Sequence, residues 1–286
     1  MELKSISVDS GTIKQAGRFK PIKIRTVNKA SLVIKGTLVL LVILTIFGFQ
    51  SFDYKQVNFV EAAGLTLKNL KTMFVEPKLS HISFEEALYQ VMITLGLAFL
   101  TTLFGSIIAL LLGLFAAQNL SPKTVTVAIK GLVAFIRSVP TVLWVLIFAV
   151  SAGLGSEAAV IGMTFHSVGY LIKAYSESFE EMDEGIIEAL RASGANWWHI
   201  VFQAVLPSSI TYLISWTFLR FEINFAVAVA MGAAAGAGGI GFDMFMASGF
   251  YYDIREVGVI TYFILIFAII LELGATKVKR NLKNGN

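Results

Sequence analysis

Apolar residues in this chain come in stretches of about twenty, the length an α-helix needs to cross a roughly 30 Å hydrocarbon core. The stretch from Ser31 to Phe49 is broken only by Lys35, and similar runs cover Leu88–Ala117 and Val257–Leu273. Runs of this length predict helices in a bilayer, where each backbone polar group must be satisfied within its own segment. Composition points the same way. Of 286 residues, 56% are hydrophobic and only 15% charged, against about a quarter charged in soluble domains. The formal charge of +4 is modest, and no basic stripe with interleaved aromatics offers a nucleic-acid surface. Without cysteine there are no disulfides, thiolate metal sites or thiol nucleophiles.

Reading along the chain gives an all-α integral membrane protein with about six spans, near residues 31–49, 88–117, 138–154, 157–175, 200–231 and 257–273. Residues 1–30 form a polar segment rich in Lys and Arg. A signal peptide is the alternative for such a start, but Gly48–Phe52 offers no small-residue cleavage site. Residues 31–87 comprise the first span and an external loop of mixed charge, 88–275 the main membrane domain, and 276–286 a basic tail with Lys277, Lys279, Arg280 and Lys283. Between spans two and three, Lys123, Lys130 and Arg137 appear without an acid, marking a cytoplasmic loop. Its apolar Val125, Val127, Leu132, Val133 and Phe135 suggest a partly interfacial helix. Six spans with basic ends place both termini in the cytoplasm. The acidic stretch Glu177–Glu188 then lies on the same side, within a polar loop covering about 177–207.

That loop carries the strongest pattern. Ile187, Leu190, Gly194 and Trp197 recur at helical spacing on one side, while Glu184, Glu188 and Arg191 line another. Asp183–Trp197 therefore reads as an amphipathic surface helix, with Gly194 ending its first stretch. Trp197 and Trp198 suit a membrane interface.

The run from Glu188 to Pro207 resembles the EAA loop of ABC importer permeases. Glu188, Ala189, Gly194, Leu206 and Pro207 fall on that pattern; Leu190 replaces its second Ala and Ala204 its Ile. Phe135–Phe148, His166–Gly169, Arg220–Asn224 and Gly236–Gly241 are similar to the phosphonate-type branch, so the likeness runs from about residue 88 to 275. One departure is Phe225, where that branch has a second basic residue.

The resemblance implies the five-helix core of type I importers with a cytoplasmic coupling helix, in a bacterial cell membrane. Glu184, Glu188, Ala189, Arg191 and Gly194 would dock a cytoplasmic ATPase dimer. An extracytoplasmic binding protein and a second permease copy would complete the assembly among membrane lipids, moving a small anionic solute such as a phosphonate. Phosphite, another oxyanion or methionine are alternatives. No cofactor or metal is implied.

Three groups of residues invite a closer reading. Arg220, Glu222 and Asn224 sit inside span five, where ionisable groups persist only if paired or in water. Arg220 and Asn224 share a helix face at i, i+4, so either a cationic site on the path of an anionic solute or an internal Arg220–Glu222 clamp fits. His166, mid-span, is either a hydrogen-bonded packing residue or part of that path; Lys173 is expected to snorkel. In the cluster Gly236, Gly238, Gly239 and Gly241, the first, second and last formally match a dinucleotide fingerprint. They follow a spanning helix, so bending, gating or close packing is the reading.

The sequence contains no G-x-x-x-x-G-K-[ST], no H-E-x-x-H and no G-x-S-x-G, and its reading is non-catalytic. A lipid-headgroup enzyme would need carboxylate or His clusters at an interface. A stand-alone transporter would show matched internal repeats, and none is visible.

Overall fold

The computed structural model describes residues 29–51 and 58–284. The basic segment 1–28, the acid and base Asp53 and Lys55, and the Lys283 side chain fall outside the described residues. The chain forms two units, residues 1–59 and 60–286. In the first, α1 (Lys29–Ser51) has 23 residues, none of them buried. A helix apolar on every side is a membrane span.

The second unit runs α2 (Phe59–Val75), α3 (Phe84–Ala116), α4 (Lys123–Ser138), α5 (Thr141–Ala152), α6 (Ser156–Glu180), α7 (Glu184–Ala192), α8 (Trp197–Ile200), α9 (Leu206–Ala235), α10 (Ile240–Gly249) and α11 (Ile254–Asn284). Among the described residues there is no strand.

Four helices are long and apolar enough to span, namely α1, α3, α8 running into α9, and α11. A fifth span would be the pair α4 and α5, bent by 90°. The bend is set by Pro140, which starts α5 and pushes Val139 into extended backbone (φ −97°, ψ 125°). Span four of the sequence reading is α6, which falls short on apolarity because it is the central helix. With 14 of its 25 residues buried, it needs no continuous lipid-facing skin. The expected external loop 51–87 contains α2, whose pattern is too weakly apolar to announce a helix. It is held from outside: Tyr262 Oη donates to the Phe74 carbonyl at 2.6 Å and Arg255 pairs with Glu76 at 2.8 Å.

Local chemistry explains the ends. Ser83 caps α3 by accepting the Glu86 N–H, and Glu85 and Glu86 oppose the positive helix end. Before α9, residues Val201–Val205 form a π-helical turn in which the Leu206 N–H reaches the Val201 carbonyl. Pro207 has no N–H for the Gln203 carbonyl, and one widened turn absorbs the loss.

The helices meet over small residues. A Cβ on Gly105 would lie 3.1 Å from Ser167, and one on Gly113 3.2 Å from Tyr175, so α3 and α6 touch along Gly105, Ala109 and Gly113. On the other side of α6, a Cβ on Gly162 would meet the Val145 backbone at 2.5 Å. Three buried clusters fill the bundle in succession: one around Tyr175, Phe179, Ile187 and Val201, one around Met163, Phe225 and Met231, and one around Val91, Ile240 and Ile260.

Gly162→Ala is expected to lower the melting temperature of the purified chain sharply, since backbone cannot yield; overpacking costs typically 1–3 kcal/mol, here about the upper end. Gly96→Ala, which meets nothing within 4 Å, should instead stabilise by roughly 0.5–1 kcal/mol. Thermal denaturation in detergent distinguishes the two signs.

Candidate functional site

The acidic stretch after α6 separates into two sets. Glu177 lies 3.6 Å from Lys173, Glu180 pairs with Lys130 at 2.9 Å and accepts the Gln118 N–H, and Asp183 caps α7 by accepting the Gly185 N–H at 2.8 Å. Glu180 thereby ties α4 and the turn after α3 to α6, while the Glu177 pair and the Asp183 cap act within their own helices. Glu184 and Glu188 have no hydrogen bond or ion pair among the described residues, and both are exposed. With Gln118, Asn119, Ile187 and Arg191 they line a concave pocket of about 230 Å³ between α7 and the turn after α3.

The α7 helix stands firmly on the core. Ile187 is buried and Leu190 packs beside it. Arg191 Nη2 donates to the Asn119 carbonyl at 3.1 Å, fixing one wall of the pocket. After Ala192 the chain turns at Gly194 (φ +86°), a backbone conformation that suits glycine. Trp197 Nε1 then donates to the Leu120 carbonyl at 2.9 Å, and its ring stacks on Phe115 with centroids 5.4 Å apart. Ala189, Gly194 and Trp198 are exposed. All five sequence-selected residues, Glu184, Glu188, Ala189, Arg191 and Gly194, thus fall on one small protruding element.

A second polar group lies inside the bundle. Arg220 Nε donates to Ser167 Oγ at 3.0 Å, and Ser167 Oγ donates to Asn224 Oδ1 at 3.1 Å. Asn224 Nδ2 donates to Thr102 Oγ1 at 2.9 Å, whose hydroxyl bonds the Ala98 carbonyl. The Arg220 guanidinium also sits 5.0 Å from the Tyr170 ring centroid. Arg220 is 3% exposed and Asn224 fully buried. One Arg220 nitrogen, Nη2, is buried without a partner, as is His166 Nδ1.

The Arg220–Glu222 clamp is not formed, and among the described residues Arg220 makes no ion pair. Residues two apart on a helix face different sides. Glu222 instead lines a cavity of about 590 Å³ with Thr141, Val142, Ala226 and Met231. Phe225, the departure from the phosphonate-type pattern, is 1% exposed among Met163, Ala228 and Met231. Sequence reading missed Thr102, Ser167 and Tyr170; Ser167 and Thr102 are the hydroxyls that a search for polar residues inside the apolar runs would have found.

The glycine turn is tied to α3. Gly236, Gly238 and Gly239 have φ of +61°, +74° and +74°. The Gly239 N–H donates to Gln90 Oε1 at 3.1 Å and the Ile240 N–H to Thr94 Oγ1 at 3.0 Å. A Cβ on Gly241 would collide with the Val229 carbonyl. The dinucleotide fingerprint therefore sits between two helices, not after a strand.

Ligand atoms of His81, Asp253 and Glu256 lie within 4.8 Å of one another, a spacing that a metal could use. Their donors are already engaged. Glu256 accepts the N–H groups of Ser80, His81 and Ile82 as well as His81 Nδ1 at 2.7 Å, and Asp253 accepts those of Arg255 and Glu256. A hydrogen bond from the Ser80 side chain holds the Asp253 carboxyl below its usual range. The cluster reads as a tether between the loop before α3 and the start of α11.

Asn224→Leu should lower the melting temperature markedly, because it strands Thr102 and Ser167; a buried unsatisfied group costs about 1–3 kcal/mol. Glu222→Gln should leave it unchanged. A large loss for Glu222→Gln in thermal denaturation would restore the clamp.

Residues 109–276 match the family described as "Binding-protein-dependent transport system inner membrane component". The chain is 30% identical over 178 residues to the phosphate-import permease protein PhnE of Mycolicibacterium smegmatis, covering 62% of this chain and 33% of that protein. It is 30% identical over 191 residues to the phosphite transport system permease protein PtxC of Stutzerimonas stutzeri, covering 66% and 69%. The chain thus spans a third of the first relative and about two thirds of the second. Among solved structures, an inward-facing form of the MetNI methionine ABC transporter has the same fold, with a TM-score of 0.63 at 22% identity over 70% of this chain and 99% of that one. With more than half of its length matched, and with several apolar helices of spanning length, this chain belongs to the family of binding-protein-dependent transport system inner membrane components and is a multi-pass membrane protein.

Proposed function

We propose that this chain is the transmembrane subunit of an ATP-driven importer for a small phosphorus oxyanion, a phosphonate before phosphite. An extracytoplasmic binding protein delivers the solute, two copies of the chain enclose the path, and ATP is hydrolysed on separate cytoplasmic subunits. Both termini then face the cytoplasm, on the side of α7.

The observation that carries this reading is the pocket at α7. Two exposed carboxylates without internal partners stand on a helix whose other face is anchored by Ile187, with Trp197 of α8 fixing the chain just beyond it. Such an element is rigid towards its own bundle and open towards a partner. Force applied at α7 enters the packed cluster of Tyr175, Phe179, Val201 and Leu213, contributed by α6, the π-helical turn and α9. One further link, Tyr175 Oη to Thr217 Oγ1, leads along α9 to Arg220. Closure of the ATPase subunits would therefore move the two helices that hold the polar group.

The solute class rests on Arg220, a guanidinium without a carboxylate partner inside a spanning helix, with one free nitrogen. A planar fork of donors suits phosphonate oxygens. Because the group is closed in this conformation, contact with solute requires the helices to part as access alternates. The fold likeness to a methionine transporter supports a second reading, the same machine with methionine as cargo.

Two outcomes are expected. Glu184→Gln with Glu188→Lys should abolish co-purification with the ATPase subunit while leaving the melting temperature unchanged; wild-type association and uptake by that double variant would overturn the docking role. Arg220→Met should reduce uptake of radiolabelled phosphonate at least tenfold, with assembly and basal ATP hydrolysis retained. Undiminished phosphonate uptake would remove Arg220 from the path, and saturable methionine uptake would select the second reading.

A further inference from the structure

The groove between α4 and the last turns of α6 collects positive charge. Lys123, Lys130 and Arg137 recur every seventh residue and so share one stripe of α4. Lys130 and Arg137, with Lys173 and Ser176 of α6, line a cavity of about 230 Å³. Val133, Ala134 and Ile172 form its apolar wall, and Glu177 is its one acid. The acids Glu180 and Glu177 answer Lys130 and Lys173, at 2.9 Å and 3.6 Å. Three cations against two acids leave one positive charge in excess, and it resides on Arg137. That side chain is exposed and has no hydrogen bond or ion pair among the described residues, while its aliphatic stem lies against Gly169.

We propose that this groove binds a phosphate-type oxyanion, the chemistry shared by an anionic phospholipid headgroup and a free phosphate or phosphonate ion. The Arg137 fork addresses two oxygens in parallel, and the Lys173 ammonium, only loosely held by Glu177, turns to a third. Basic pockets between spanning helices at the cytoplasmic face accommodate lipid headgroups. Here the surroundings suit one. On its outer side α4 exposes Leu132 (49%) and Phe135 (58%), an apolar flank on which an acyl chain would lie. The α7 pocket and Arg220 take no part in this site, which stands whether or not the transported solute is a phosphonate.

The test uses the full chain purified in detergent. Retention of phosphatidylglycerol against phosphatidylcholine is measured by native mass spectrometry, and the thermal shift with inorganic phosphate is measured in parallel. Wild type should bind phosphatidylglycerol at least tenfold more tightly than phosphatidylcholine. Arg137→Gln with Lys173→Gln should lose roughly tenfold of that affinity. Lys123→Gln, on the same stripe but outside the cavity, should lose none. A phosphate-induced shift that vanishes in the double variant, without lipid preference, would identify the free ion as the occupant and uphold the site. The single variant Arg137→Gln serves if the double one does not fold, since Arg137 makes no hydrogen bond or ion pair among the described residues and glutamine keeps most of the stem that lies against Gly169. Absence of both lipid preference and phosphate shift in wild type, or unchanged binding by the variants, would overturn the proposal.

Discussion

The close approach of α3 and α6 governs the rest of the molecule. Lipid tails are as apolar as leucine, so helices in a bilayer gain little from burying large apolar side chains and associate through packing and hydrogen bonds. Gly105, Ala109 and Gly113 bring α3 onto α6 closely enough for Ser167 and Tyr175 to pack on its backbone. That proximity sets the register of Thr102 against Asn224 and of Ser167 against Arg220. Gly162 and Gly169 admit α5 and α4 from the opposite side, so α6 becomes the axis around which the second unit is assembled.

Polar chemistry in the interior links three helices and is left incomplete at the guanidinium. The chain Arg220–Ser167–Asn224–Thr102 gives each of its residues a hydrogen-bond partner, which is what makes it tolerable away from water. Its incomplete point is Arg220 Nη2, and the neighbouring His166 Nδ1 is likewise buried without a partner. At the other extreme, Glu256 is satisfied by three backbone amides and a histidine, and ties the loop before α3 to α11. One arrangement leaves capacity for a ligand and the other leaves little.

The spanning helices α1, α3 and α11 were legible because the signal is apolar length, which a bilayer demands of each helix separately. The α7 element was legible for a related reason: amphipathic spacing, Asp183 at its start and Gly194 at its end are all local. The α2 helix was not legible, since it depends on Tyr262 and Arg255, almost two hundred residues away in sequence. Nor was the bend at Pro140 certain, because proline is tolerated in a first turn as readily as at a break.

Sequence by itself determined that this chain is helical, that it lies in a membrane and that one polar loop is built as an amphipathic helix. Tertiary structure decided which charges distant in sequence meet and which are left over. The acids Glu180, Glu184 and Glu188 are equivalent in composition, yet Glu180 is consumed by Lys130, 50 residues away, while the other two are left at the pocket rim. Arg220 and Glu222, neighbours in sequence, face a closed hydrogen-bond chain and an open cavity respectively. Apolar length is read one helix at a time, whereas the partner of a charge depends on which helices pack together.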